Sequence, residues 1–110
     1  MYKIRRTYET IDERGSAKKV AELVYKQAKV YRDAGQRNDF TVSYNSGTLP
    51  GEKNIVILEW TADKIISPGR PDNTVPPEAI EIAMEYRPMV DDDYIEFFEM
   101  IDPERMNDGK

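Results

Sequence analysis

The chain has 110 residues, room for one compact domain, with 39% hydrophobic residues, 34% charged residues and a net charge of −5. It contains no histidine and no cysteine, which excludes disulfides, thiolate nucleophiles, iron–sulfur clusters, thiolate zinc sites, the Ser–His triad and histidine-ligated haem. Any metal would need oxygen ligands, and 21 acidic against 16 basic residues oppose non-specific attachment to phosphate backbones.

Tyr2, Ile4 and Tyr8 alternate with Lys3, Arg5, Thr7 and Glu9, the period-2 pattern of a half-buried first strand. Asp12-Glu13-Arg14-Gly15 reads as a turn, with Ser16 as the expected N-cap of a helix. From Ala17, the positions Val20, Leu23, Val24, Gln27 (by its aliphatic stem), Ala28 and Tyr31 fall at helical spacing, and Lys18, Lys19, Glu22, Lys26, Lys29 and Arg32 take the opposite face. Gly35 is placed to end the helix in the left-handed conformation.

Phe40, Val42 and Tyr44 alternate with Thr41, Ser43 and Asn45 in a second strand. The turn formers from Asn45 to Lys53 predict a hairpin loop, and Asn54 to Thr61 a third strand antiparallel to the second. An irregular excursion is expected over Ile66 to Val75. Pro76-Pro77-Glu78 suits the start of a second helix through Ala79, Ile80, Ala83, Met84 and Arg87, ending near Pro88. Asp91-Asp92-Asp93 is expected as a turn before a fourth strand from Tyr94 to Ile101. Residues 1–101 thus form the expected single domain, with 102–110 a polar C-terminal tail.

The order β–α–β–β–α–β predicts an α+β, ferredoxin-like fold: a four-stranded antiparallel sheet with two helices on one face. In such a fold the bare sheet face should be polar. Strands three and four are instead apolar on both faces: Ile55 and Ile57 against Val56, Leu58 and Trp60, then Tyr94, Phe98 and Met100 against Ile95, Phe97 and Ile101. A second copy packed face to face is the economical cover, giving a homodimer with an interface above about 2,000 Å². The excursion or the tail folded under the sheet is the competing cover.

The element order, the opening Tyr2-Lys3-Ile4-Arg5-Arg6 and the strand ending Val56-Ile57-Leu58-Glu59-Trp60-Thr61 resemble the dimeric α+β barrel superfamily. Within it, the similarity is to the antibiotic-biosynthesis-monooxygenase-like and NIPSNAP-like small proteins, over roughly residues 2–101. The resemblance implies a small-molecule-binding dimeric barrel. It also implies a cofactor-free oxygenase chemistry in which Asn, Trp and Tyr line a pocket and the substrate anion reduces dioxygen. Asn45, Trp60 and Tyr44 are of the matching types.

Each candidate also has a plainer reading. Trp60 either walls a pocket or fills the core. Tyr44 and Asn45 either bind a substrate oxyanion or serve packing and turn geometry, and as strand neighbours they point to opposite faces. Arg5 is either an anion donor inside the barrel or, with Lys3, Thr7 and Glu9, an edge charge that discourages aggregation. Asp91, Asp92 and Asp93 could ligate a cation but fit a solvated turn better. Pro68-Gly69-Arg70-Pro71 reads as loop chemistry, and the basic stripe on the first helix lacks the aromatic pattern of RNA-binding strands. The sequence therefore implies no cofactor, metal, nucleic acid or membrane partner. The expected partners are a second copy of the chain and a small apolar or aromatic ligand, in the cytoplasm. The alternative is a non-enzymatic interaction module whose apolar sheet face serves only dimerisation.

Overall fold

In the computed structural model, residues 1–35, 39–64 and 75–101 are described. The elements are β1 (Tyr2–Thr10), α1 (Ser16–Asp33), β2 (Phe40–Asn45), β3 (Ile55–Ala62), α2 (Pro77–Tyr86), a short 3-10 turn (Arg87–Met89) and β4 (Val90–Glu99). All pairings are antiparallel, in the order β2-β3-β1-β4. This is the ferredoxin-like α+β arrangement expected from the element order. The excursion from Ile66, with its Pro68-Gly69-Arg70-Pro71 string, lies outside the described residues up to Val75, as does the tail 102–110.

Register sorts the side chains. Ile4 lies opposite Trp60 and Tyr8 opposite Val56, while Val42 lies opposite Leu58, so the even-numbered positions of β1, β2 and β3 share one face. Tyr8, Val56 and Leu58 are buried there against Val20, Leu23, Val24 and Ala28 of α1. The helix-free face carries Lys3, Arg5, Thr7 and Glu9 beside Ile55, Ile57 and Glu59. Alternation in β1 is what separates these two sets.

The helices cover the sheet unevenly. α1 lies over β2 and β3, where Tyr25 meets Phe40 edge to face at 5.1 Å, and α2 packs against α1. Neither spreads over β4. Its Tyr94, Ile95, Phe97 and Phe98 are exposed, followed by exposed Met100 and Ile101. On α2 only Ala79 and Tyr86 are buried, and Ile80 and Met84 face solvent.

Three local expectations need correction. Ser16 is the first residue of α1 rather than its cap. Gly15 occupies the cap at φ 85°, because the Glu13–Gly15 turn needs the left-handed conformation glycine adopts freely. The Ser16 N–H is then satisfied by the Glu13 carbonyl at 3.0 Å. Gly35, at φ 76°, takes the left-handed conformation expected after the helix, and its N–H reaches the Arg32 carbonyl at 2.9 Å.

Second, Asp91, Asp92 and Asp93 are strand, not turn. Asp92 pairs with Glu9 and Asp93 with Tyr8, with a register irregularity between Glu9 and Thr10. Pairing with β1 and a charge partner for Asp93 override the low strand propensity of aspartate. Third, β1 is an inner strand, so Lys3, Arg5, Thr7 and Glu9 are not edge charges. Arg5 and Lys3 instead engage Glu59 on β3 at 2.9 and 3.8 Å.

Candidate functional site

Polar groups from four elements converge on the helix side of the sheet. Arg6 has the same parity as buried Ile4 and Tyr8, so β1 turns a guanidinium toward the helices. Its Nη2 donates to Asp93 Oδ2 at 2.6 Å, and its Cζ stands 5.5 Å above the Tyr8 ring. Tyr8 and Tyr86 meet edge to face at 5.7 Å. The Tyr86 hydroxyl donates to Gln27 Oε1 at 2.8 Å, and Gln27 Nε2 donates to the Ala79 carbonyl at 3.1 Å. Gln27 therefore ties α1 to α2, and the two tyrosines back the arginine.

The electrostatics follow from burial. Tyr86 has its phenol pKa raised by desolvation, with the Arg6 charge and hydrogen bonds to Tyr8 and Gln27 opposing the rise, so it is a neutral hydroxyl at ordinary pH. Burial works against the Arg6 charge, but Tyr8 and the hydrogen bond to Asp93 outweigh it and raise its pKa. Both partners of the Arg6–Asp93 pair are about two-fifths exposed, so the pair contributes only about 0–1 kcal/mol. Arg6 Nε is buried without a partner, a deficit of order 1–3 kcal/mol.

A second feature lies on the same side of the sheet, at the β2 edge. An open groove of about 390 Å³ runs between α1 and β2, lined by Lys18, Ala21, Glu22, Tyr25, Lys26, Val42 and Tyr44. Helical spacing puts Lys18, Glu22 and Lys26 along one face of α1 above Val42 and Tyr44. The result is an apolar, aromatic floor with lysines toward both ends.

The four sequence candidates are not brought together. Tyr44 lines the groove. Trp60 shares that sheet face but lies opposite Phe40 and Ile4, half-buried against the core and about 13 Å along the strand direction from the Tyr44–Val56 pair. Asn45 points the other way and organises the β2–β3 loop. Its Nδ2 donates to the Leu49 carbonyl at 3.0 Å, and its Oδ1 accepts from the Gly47 N–H at 2.9 Å. Arg5 is on the helix-free face, bonded to Glu59 and 5.4 Å from the Phe98 ring centre.

Arg6, Tyr86 and Gln27 were not among those candidates, although two of them carry a signal. Arg6 is a charge at an inward strand position, and Gln27 an amide at an inward helix position that invites a reading as an aliphatic stem. Among the described residues, no cluster of three or more acidic side chains is arranged to hold a metal ion, and no helix is long and apolar enough to cross a membrane.

Comparison with solved structures bears on the fold. A protein from Agrobacterium tumefaciens matches 92% of this chain and 94% of its own, with a TM-score of 0.60 at 13% identity. An uncharacterised NIPSNAP domain protein from Burkholderia xenovorans matches 92% of this chain and 95% of its own, with a TM-score of 0.58 at 17% identity. A candidate antibiotic biosynthesis monooxygenase from Deinococcus radiodurans matches 93% and 94%, with a TM-score of 0.52 at 16% identity. At these identities the likeness is one of fold. The chain is a ferredoxin-like α+β protein, and its neighbours in fold include both kinds of protein that its sequence resembles. No protein-family model matches the chain, and no curated protein matches it.

Proposed function

We propose that the protein binds a small apolar or aromatic molecule in the groove between α1 and β2, as a homodimer. The observation that carries the ligand reading is the groove itself: about 390 Å³, floored by Ala21 and Val42, flanked by Tyr25 and Tyr44, and open to solvent. That volume suits a molecule of one or two rings, and exposed tyrosines offer flat contact area with a hydroxyl at the tip. Tyr44 is the proposed ligand contact. Asn45, Arg5 and Trp60 serve the loop, the helix-free face and the core.

Dimerisation is supported by Ile55, Ile57, Tyr94 and Phe98, which share the helix-free face and which no described element overlies. A second copy seated there completes a dimeric α+β barrel. The cysteine-free composition supports a reducing compartment such as the cytoplasm. The finer activity is oxygenation of a phenolic ligand without a cofactor, supported by the fold likeness to the Deinococcus protein. Its signature is dioxygen uptake with a phenol and no added flavin, haem or metal.

Titration with 2-naphthol, followed by residue-resolved NMR, tests the groove. Shifts should cluster on Tyr25, Val42 and Tyr44, and Tyr44→Ala should weaken binding about tenfold while leaving the fold intact. Failure of any ligand to perturb these residues would favour an interaction module without a ligand site. The engagement of Asn45 and Arg5 in purely structural contacts speaks for that second reading.

A further inference from the structure

The helix side of β4 poses a separate question. Arg6 is directly opposite Ile95, Ile4 opposite Phe97, and Tyr2 opposite Glu99. Paired antiparallel residues point to the same face, so Ile95 and Phe97 form a shelf beside the Arg6 guanidinium. They are 39% and 38% exposed. A second copy packed on the helix-free face would cover Tyr94 and Phe98, but Ile95 and Phe97 are on the opposite face of the same strand, where no described element would cover them.

The shelf is also polarised. Arg6 stands at one end and Glu99 at the other, and the paired positions Ile95 and Phe97 between them are about 7 Å apart. Arg6 is incompletely used. A guanidinium has five N–H donors; Nη2 bonds Asp93 Oδ2, Nε is buried out of a ligand's reach, and the side chain as a whole is 42% exposed. Tyr8 beneath the guanidinium and Asp93 beside it hold the group in place, so a ligand would meet an oriented donor.

We propose that Arg6, Ile95 and Phe97 form a second ligand site that takes a small organic carboxylate with an apolar or aromatic body. The carboxylate bonds the Nη donors of Arg6 that Asp93 leaves unused, and the body lies over Ile95 and Phe97. Asp93 competes with the ligand for the guanidinium, which keeps affinity modest and makes Asp93 a specificity determinant. The site is separate from the groove at Tyr44 and does not depend on it.

The test is a titration of the full chain with 2-naphthoate and, in parallel, its neutral amide, followed by residue-resolved NMR. Naphthoate should shift Arg6, Ile95 and Phe97, and the amide should bind at least tenfold more weakly. Arg6→Gln should abolish the shifts on the shelf, Arg6→Lys should retain part of the affinity, and Asp93→Asn should tighten binding several-fold. Tyr44→Ala, which removes the groove contact, should leave the shelf unchanged. Equal binding of acid and amide, or an Arg6→Gln protein that still binds naphthoate on the shelf at full affinity, would overturn the proposal. Should Arg6→Gln fail to fold, the Asp93→Asn comparison decides: unchanged or weaker affinity overturns the site. Failure of the groove reading shows separately, as missing shifts at Tyr25 and Tyr44.

Discussion

Single residues on the helix side of the sheet carry most of the chemistry, and Tyr86 is the one whose behaviour with pH can be derived. Burial raises its phenol pKa in the folded protein, while the unfolded chain keeps the ordinary value near 10. The folded state therefore holds this proton more tightly. The contribution is fully present below about pH 10 and is lost as pH climbs from there through the folded pKa. Tyr86→Phe should cost about 1 kcal/mol at neutral pH, through loss of the hydroxyl's bond to Gln27. From neutral pH up through and above about pH 10, its stability should also fall less steeply than the parent's. Urea denaturation across that range measures both effects, and parallel slopes would contradict the assignment. Arg6 and Gln27 show why the cluster was hard to read from sequence. Each occupies an inward position by its element's period, but the period does not reveal which other elements meet it there. The Asp93 carboxylate that pairs with Arg6 is 87 residues away in the chain.

Among the elements, α1 anchors the core and β4 has the least cover. Val20, Leu23, Val24 and Ala28 of α1 are buried against Tyr8, Val56 and Leu58. Leu23→Ala should therefore destabilise the protein by about 2–5 kcal/mol, with a matching drop in the urea midpoint. The apolar stripe of α1 and the alternation of β1 and β2 were legible because each element meets one dominant neighbour. β4 was legible only in part. Its apolar run on both faces is plain in the sequence, but its start at Val90 was hidden. Three aspartates read as a turn until pairing with β1 and the Arg6 guanidinium give two of them strand partners and Asp93 a charge partner. The cap of α1 was misread for a similar reason: Ser16 has the chemistry of a cap, while the backbone turn before it needs the conformation of Gly15.

At the scale of the whole molecule, the decisive fact is the uneven distribution of cover. Among the described residues, α1 covers one sheet face over β2 and β3, while Tyr94, Ile95, Phe97 and Phe98 are exposed on the two faces of β4. A soluble monomer seldom leaves so many large apolar side chains exposed on one edge strand. The element order, the antiparallel sheet and the apolar run on both faces of β4 were legible in the sequence, but the inner place of β1 was not. Nor was the division between two covers. A copy of the chain suits the helix-free face of Ile55, Ile57, Tyr94 and Phe98, and a small carboxylate suits the Arg6 shelf on the other. Sedimentation equilibrium at micromolar concentration tests the first of these most directly. The account predicts a single species at twice the 12.8 kDa chain mass; a protein that remains at the chain mass throughout that range would contradict it.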